Sequence, residues 1–269
     1  MYEGTRGILK ITFILSKFKQ NFRVYSDGNL IFIKFMKVKG PLIPAVFIDR
    51  PNRFITNIKI NNNIFQSHLA DPGRLDGLLV PGAKLFVLPA PLNEKRVTKY
   101  STVLVQHKDK LISLVSTFPN QFVKDAVLNN QLPMLKNFTY VRSEVSIKNH
   151  RIDFLLQTKK RENFYLEVKS VTFVDKSIAK FPDAITARGK KHVDLLRKLK
   201  KEGHHAGILF VCQRSDADTF EPMVQRDPAF TSSLLKACKE GVNIWCITLN
   251  VNKTEITFNK EIPVNLLYK

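Results

Sequence analysis

The chain changes its pattern near residues 108 to 115, and this change limits how it can fold. From Ala45 to Lys110, short β-type segments such as "AKLFVL" and "YSTVLVQ" are separated by turn residues. Strands of this length and spacing predict a small barrel or sandwich. After Ser113 the order is helix, three strands, helix, strand, which is typical of a mixed α/β sheet flanked by helices. We therefore expect two domains, over residues 36–110 and 111–269.

Residues 1–35 differ from the rest of the chain, because they are rich in Phe, Ile and Lys with no clear helical period. A new pattern, "MKVKGPLIPAVFIDRPNRF", opens at Met36, so residues 1–35 are expected to be an N-terminal extension and Met36 is a candidate start. The apolar stretches are interrupted by Lys10 or are shorter than the ~20 residues that a membrane span needs. No small-residue cleavage site follows Arg6. The predicted compartment is the cytoplasm, with no membrane partner.

The chain carries 43 Lys and Arg residues against 23 Asp and Glu residues, a formal net charge of +20 at pH 7. Such an excess predicts a polyanionic partner, because neutralised phosphates release counterions on binding. The alternative is that the charge serves only solubility. Charge does not separate DNA from RNA. The 3 cysteines have no C-x-x-C spacing, which favours reduced thiols over a disulfide framework or a zinc cluster.

Charged residues interrupt two consecutive apolar strand segments, "RIDFLLQT" and "NFYLEVKSVTF". Side chains alternate along a strand, so Glu167 and Lys169 point to one face while Leu166 and Val168 point to the other. Asp153 is flanked by apolar residues that point to the opposite face, and a short hairpin connection brings the two strands together. The pattern predicts that two carboxylates and an ammonium converge. The alternative is a structural ion pair of Glu167 with Lys169.

Asp153 and Glu167 supply the oxygen ligands that Mg²⁺ or Mn²⁺ prefers. A metal held there would stabilise charge on a phosphodiester, and Lys169 would position the attacking water or offset developing charge. Asp125, on the predicted helix before these strands, is a further candidate ligand. The predicted catalytic residues are thus Asp153, Glu167 and Lys169, and the predicted metal ligands are Asp153, Glu167 and Asp125. No histidine pair has the spacing of a zinc site.

The predicted helix from about Asp183 to Glu202 is strongly basic. Arg188, Lys190 and Lys191 near its start are candidate phosphate contacts, and the alternative is a solvated amphipathic helix. In the first domain, the tight turn "DPGRL" presents Arg74 as a further candidate for nucleic-acid binding. The alternative there is a structural turn with a salt-bridged arginine.

Several segments resemble the sugar fermentation stimulation protein A family, in the same order: "HLADPGRLDGLLVPGAKLFV", "STFPNQFVKDAV", "SEVSIKNHRIDFLL", "YLEVKSVT", "FPDAITARGKKHVDLL" and "FEPMVQRDPAF". The resemblance covers about residues 41–245 and implies an N-terminal OB-fold domain followed by a PD-(D/E)XK nuclease-like domain. The acid, acid and lysine of that superfamily fall on Asp153, Glu167 and Lys169. Its helical acid falls on Asp125, an Asp where similar proteins often have Glu. Residues 1–35 have no counterpart in the family, which favours Met36 as the start.

The resemblance also implies DNA binding without sequence preference and a role in regulating sugar metabolism. Three functions are compatible with these observations. The first is a Mg²⁺-dependent nuclease that acts at the acidic site. The second is a DNA-binding transcriptional regulator of sugar (maltose) metabolism whose acidic site is not catalytic. The third is an RNA-processing factor that uses the same chemistry and differs only in its substrate.

Overall fold

The computed structural model describes residues 22–25, 31–91 and 97–266, with side chains from Phe35 onwards within those ranges. Most of the predicted extension, residues 1–35, lies outside the described residues. Its described part includes two short strands, β1 (Phe22–Tyr25) and β2 (Ile31–Lys34), which pair antiparallel. All of the predicted site residues lie within the described ranges.

The first domain is a closed β-barrel. Its described strands are β4 (Ile43–Asn52), β5 (Ile55–Ile60), β6 (Asn63–Leu69), β7 (Lys84–Pro89), β8 (Tyr100–His107) and β9 (Lys110–Ser113). They form one sheet in the order β6-β5-β4-β7-β8-β9, and a parallel pairing of β6 with β8 closes it. Phe47, Ile58 and Leu85 fill the interior. The predicted barrel is therefore confirmed.

The second domain is built on a mixed sheet. Its strands are β3 (Met36–Lys37), β10 (Phe138–Ile147), β11 (His150–Thr158), β12 (Asn163–Val171), β15 (His205–Cys212), β17 (Asn243–Val251) and β18 (Glu255–Ile262). Their order is β10-β11-β12-β15-β17-β18-β3, and the central β12, β15 and β17 run parallel. A small second sheet contains β13 (Val174–Asp175), β14 (Ile178–Phe181) and β16 (Thr219–Pro222).

Helices cover both faces of the large sheet. They are α1 (Phe118–Leu128), α2 (Ala187–Lys201) and α3 (Pro228–Lys239), and a 3₁₀ turn spans Pro133–Leu135. On one face, Phe122 of α1 shares a core with Leu166 of β12. On the other face, Val193 of α2 and Leu234 of α3 share a core with Ile208 of β15. Strand β12 therefore lies between helical layers, and Glu167 on it is buried.

None of the described helices is long and apolar enough to cross a membrane.

Helix α2 begins later than the predicted start at Asp183. The Thr186 side chain accepts a hydrogen bond from the backbone nitrogen of Gly189 at 3.1 Å, so Thr186 is the residue that caps the helix. Asp183 lies in the preceding loop, where its Oδ2 atom accepts a hydrogen bond from the backbone nitrogen of Leu75 at 3.2 Å. Since Leu75 belongs to the barrel, the loop before α2 joins the two domains next to the candidate site.

Candidate active site

Asp153 lies where strands β11 and β12 separate. The last paired residues at this end of the two strands are Phe154 and Leu166. Just beyond them, the Oδ1 atom of Asp153 accepts a hydrogen bond from Asn120 Nδ2 at 2.7 Å, and its Oδ2 atom accepts one from the backbone nitrogen of Val168 at 2.8 Å. These two hydrogen bonds hold the carboxylate between α1 and β12.

Glu167 lies on β12 and is almost completely buried, with 2% of its surface exposed. Its Oε1 atom contacts both Lys169 Nζ and His192 Nδ1. Its Oε2 atom is buried and has no hydrogen-bond partner in the part of the chain that the structure describes. Burying a carboxylate oxygen without a partner is costly, so Oε2 is the atom on which a cation would stabilise this site most.

The two carboxylates differ in how their surroundings affect them. Burial raises the pKa of Asp153 to about 6, and the nearby charge of Glu167 adds to this increase. Burial alone would raise the pKa of Glu167 as well, but Lys169 and His192 outweigh that effect and hold its pKa below the ordinary value. Glu167 is therefore ionised near neutral pH and repels a second negative charge on Asp153. A cation near both groups would remove that repulsion.

The residues present fit a hard divalent cation. Within the described ranges, no group of three or more His, Cys, Asp and Glu side chains is arranged to hold a metal. A metal bound at this site would rest on Asp153 and Glu167. Magnesium commonly binds in this way, with one or two carboxylates and with water and phosphate oxygens completing its shell. The unpartnered Oε2 of Glu167 supports this fit.

The helix residue that meets Asp153 is Asn120, and not the predicted Asp125. Both lie on α1, but a helix turns by about 100° per residue, so Asp125 lies about 140° around the axis from Asn120. Asp125 is partly exposed. The structure thus brings Asp153, Glu167 and Lys169 together and leaves Asp125 on a different face of its helix.

His192 was not among the predicted site residues. Its ring is 5% exposed and links α2 to Glu167 through Nδ1, while Arg188 Nε donates to its Nε2 atom at 3.5 Å. Because Nε2 accepts the hydrogen bond from Arg188, the ring carries its proton on Nδ1, and His192 donates from Nδ1 to Glu167. A signal was present in the sequence, because His192 shares the buried stripe of α2 with Leu195, Leu196 and Leu199. A polar ring in such a stripe needs a buried polar partner.

The four predicted nucleic-acid contacts lie in three different settings. Arg188 and Lys191 line a groove beside the turn between β10 and β11. Lys190 pairs with Asp194 on its own helix at 2.6 Å. Arg74 pairs with Asp76 at 3.4 Å, as the structural alternative for this turn predicts. The Oδ2 atom of Asp76 also accepts from Arg226 of the second domain at 3.2 Å.

Comparison with known proteins identifies both domains. A family model described as the SfsA N-terminal OB domain matches residues 48–114, and one described as the sugar fermentation stimulation protein RE domain matches residues 117–255. A solved structure of Pyrococcus furiosus SfsA in complex with Ca²⁺ aligns with a TM-score of 0.78 and 26% sequence identity, covering 86% of this chain and 98% of that one. The predicted fold class is confirmed as an OB-fold barrel followed by a mixed sheet flanked by helices.

Relatives from Clostridium and Chloroflexus match over most of the chain. A sugar fermentation stimulation protein homolog of Clostridium novyi (strain NT) is 37% identical over 231 residues, which are 86% of this chain and 100% of that protein. The homolog of Chloroflexus aurantiacus is 39% identical over 225 residues, 84% of this chain and 86% of that protein. Identity at this level over nearly the whole length, together with the match of both domains, shows that the chain belongs to the sugar fermentation stimulation protein family.

Proposed function

We propose that this protein binds DNA without sequence preference and cleaves it with Mg²⁺, or Mn²⁺, bound at Asp153 and Glu167. The observation that carries the proposal is the Glu167 carboxylate. It is buried and ionised, one of its oxygens is held by Lys169 and His192, and the other has no partner among the described residues. A buried carboxylate held in this way has one free oxygen to offer to a cation.

Asp153 and Lys169 have different roles in the proposed cleavage reaction. Asn120 and the Val168 amide hold Asp153 by both oxygens, so its orientation is set before a ligand arrives. Lys169 is the cation of the site, with 12% of its side chain exposed, and its ammonium is suited to position a water molecule or to offset charge on the phosphodiester. A bound metal would supply charge stabilisation and a more acidic water.

The solved relative supports metal binding by a protein of this fold. The Pyrococcus furiosus protein, 26% identical to this chain, was solved in complex with Ca²⁺. Calcium and magnesium both select oxygen ligands, so a chain with the same fold, the buried Glu167 and the partly buried Asp153 is suited to either ion. The net charge of +20 supports DNA as the substrate, since phosphate neutralisation drives binding that does not depend on sequence.

A second candidate is a DNA-binding regulator of sugar metabolism whose acidic site does no chemistry. The ion pair of Glu167 with Lys169 favours it, because this pair and His192 together form a buried polar network that would stabilise the fold without a metal. An RNA-processing factor would use the same residues, and the choice of substrate alone separates it from a DNA nuclease.

The test is a cleavage assay on labelled single-stranded, duplex and branched DNA and on RNA, in Mg²⁺, Mn²⁺ or EDTA. The wild type is compared with Asp153→Ala and with the control Asp218→Ala, whose carboxylate is exposed and pairs with Lys260. We expect metal-dependent DNA products from the wild type and the control, and none from Asp153→Ala. DNA that is shifted but uncut in every lane would favour the regulator, and cleavage of RNA alone would favour RNA processing.

A further inference from the structure

A strongly basic groove lies beside the candidate active site, between the turn that joins β10 to β11 and the first turns of α2. Its volume is about 580 Å³. Four cationic side chains line it, Lys148, Arg151, Arg188 and Lys191, together with His150, His192, Ser146 and Asn149. None of the lining residues is a carboxylate. We call this surface the hairpin–helix groove.

Positive charge in the hairpin–helix groove is crowded and poorly neutralised. The ammonium of Lys198 lies against Lys148 and lowers the pKa of Lys148. Nearby acids are found only outside the lining residues. Arg151 pairs with Glu144 at 3.1 Å, but both side chains are more than half exposed, and such pairs contribute little. Lys198 is 3.9 Å from Glu202, again at the surface. An anion in the groove would reduce this repulsion.

The groove is next to the reacting centre and does not include it. His192 forms part of its wall, and the Nδ1 atom of the same ring contacts Glu167. Arg188 also lines the groove and donates to His192 Nε2 at 3.5 Å. One imidazole ring therefore separates the groove from the proposed metal ligand. A nucleic-acid strand that passes through the active site would place a neighbouring phosphate within reach of the groove.

We propose that the hairpin–helix groove binds a backbone phosphate of the DNA strand adjacent to the phosphate at Asp153 and Glu167. The proposal rests on the proposed function and adds a site to it, since Lys148, His150 and Arg151 belong to no predicted set. The chemistry of the lining decides the ligand class. Arginine and lysine are the side chains that contact phosphate oxygens, whereas a site that held a base would need an aromatic surface for stacking. The groove fixes the position of the strand and carries no sequence information.

The experiment measures binding of short fluorescein-labelled DNA duplexes by fluorescence anisotropy in EDTA, over a series of salt concentrations. The groove variant is Lys148→Asn with Lys191→Gln. Asparagine suits position 148, because Lys148 has a left-handed backbone with a φ of 52° and asparagine tolerates that conformation well. The control variant is Lys236→Gln with Lys239→Gln, which removes the same charge from exposed positions on α3.

We expect the groove variant to bind more weakly than the control and to lower the slope of log affinity against log salt by about one, because the groove is proposed to hold one phosphate. AT-rich and GC-rich duplexes should be weakened equally. Equal affinity and slope for the two variants would overturn the groove proposal, and so would a loss confined to one sequence. Because EDTA removes the chemistry, a protein that binds as expected but never cuts DNA would overturn only the proposed cleavage. A wild type that does not bind DNA would overturn both.

Discussion

The Nδ1 atom of His192 on α2 contacts the Oε1 atom of Glu167 on β12, while the other oxygen of this carboxylate is buried with no hydrogen-bond partner among the described residues. The two oxygens of one side chain therefore have different roles. Oε1 belongs to a network with Lys169 and His192, and Oε2 is the atom available to a ligand. The orientation of a proposed metal ligand thus depends on a histidine that lies on a different element.

Replacing His192 should weaken metal binding. In His192→Ala the carboxylate of Glu167 loses a donor and gains freedom to rotate, and losses of about ten- to a hundredfold in metal affinity are usual when such a supporting group is removed. Asparagine places its amide nitrogen close to the position of Nδ1, so His192→Asn should recover part of the affinity. The measurement is calorimetric titration with Mn²⁺ and with Ca²⁺.

His205→Ala is the control for that titration, because His205 is 41% exposed and contacts Glu162 at the surface. It should bind metal as the wild type does. If His192→Ala also kept the wild-type affinity, the histidine would have only a packing role.

The same metal titration distinguishes the roles of two α1 residues, Asn120 and Asp125. Asn120→Ala removes the donor that holds Asp153 Oδ1 and should weaken metal binding. Asp125→Asn removes a carboxylate from a different face of the helix and should leave metal affinity unchanged. The reverse result would return Asp125 to the ligand set and would mean that α1 rotates when metal binds.

Stability should depend on pH through Asp71, in the barrel loop between β6 and β7. Burial raises the pKa of Asp71 to about 6, and Asp183 adds to this, against an ordinary value of 3.8. A raised carboxyl pKa means that folding favours the protonated form. Asp71 therefore adds to the free energy of unfolding in full below about pH 4. This stabilisation, about 3 kcal/mol, is lost as the pH rises through about 6.

In the wild type the Gly73 amide donates to Asp71 Oδ1 at 2.8 Å. The variant Asp71→Asn keeps an oxygen acceptor for this amide but carries no charge. It should match the wild type at about pH 4 and be more stable at about pH 8 in urea unfolding. Equal stability of the two proteins at the higher pH would show that the charged form of Asp71 is not disfavoured in the folded protein.

Gly73 and Asp183 should be coupled across the domain boundary. A Cβ atom on Gly73 would lie 2.5 Å from Asp183 Oδ2, so Gly73→Ala forces the two loops apart and should cost about 1–3 kcal/mol. Asp183→Ala makes room but removes the acceptor for the Leu75 amide. The double variant should therefore be more stable than the two single losses predict when added. Additive losses in urea unfolding would mean that the loops move independently.

The alternation of side chains agrees with the structure along β12. Glu167 and Lys169 were expected on one face of a strand, and they contact each other there, because β12 is regular and is paired along its length with β15. The same rule was wrong beside Asp153. Its neighbours Ile152 and Phe154 were expected on one face, but they pack into cores on opposite sides of the sheet. Strand β11 leaves its pairing with β12 at this point, and a local pattern does not reveal where a pairing ends.

The contributions of the helices were harder to predict, because they depend on how each helix is rotated against the sheet. Asp125 was a candidate ligand because of its place on the helix before these strands and because of the family resemblance, whereas the packing of α1 turns Asn120 towards Asp153. His192 is not part of a recognisable sequence motif, because its partner Glu167 lies on another element, 25 residues away in the chain. When two residues meet only because their helix and sheet pack together, the sequence gives little sign of the contact. The one sign is a polar residue within an apolar helix face.

The central claim is that the protein cleaves DNA with a metal ion bound by Glu167. The most direct test is single-turnover cleavage of duplex DNA in Mg²⁺ by the variant Glu167→Gln. This change keeps the size of the side chain and removes its charge. The control is Glu162→Gln, an exposed glutamate in the turn before β12. The account predicts that Glu167→Gln binds DNA like the wild type and cuts it at least about a hundredfold more slowly, while Glu162→Gln cuts normally. Cleavage by Glu167→Gln at the wild-type rate would contradict it.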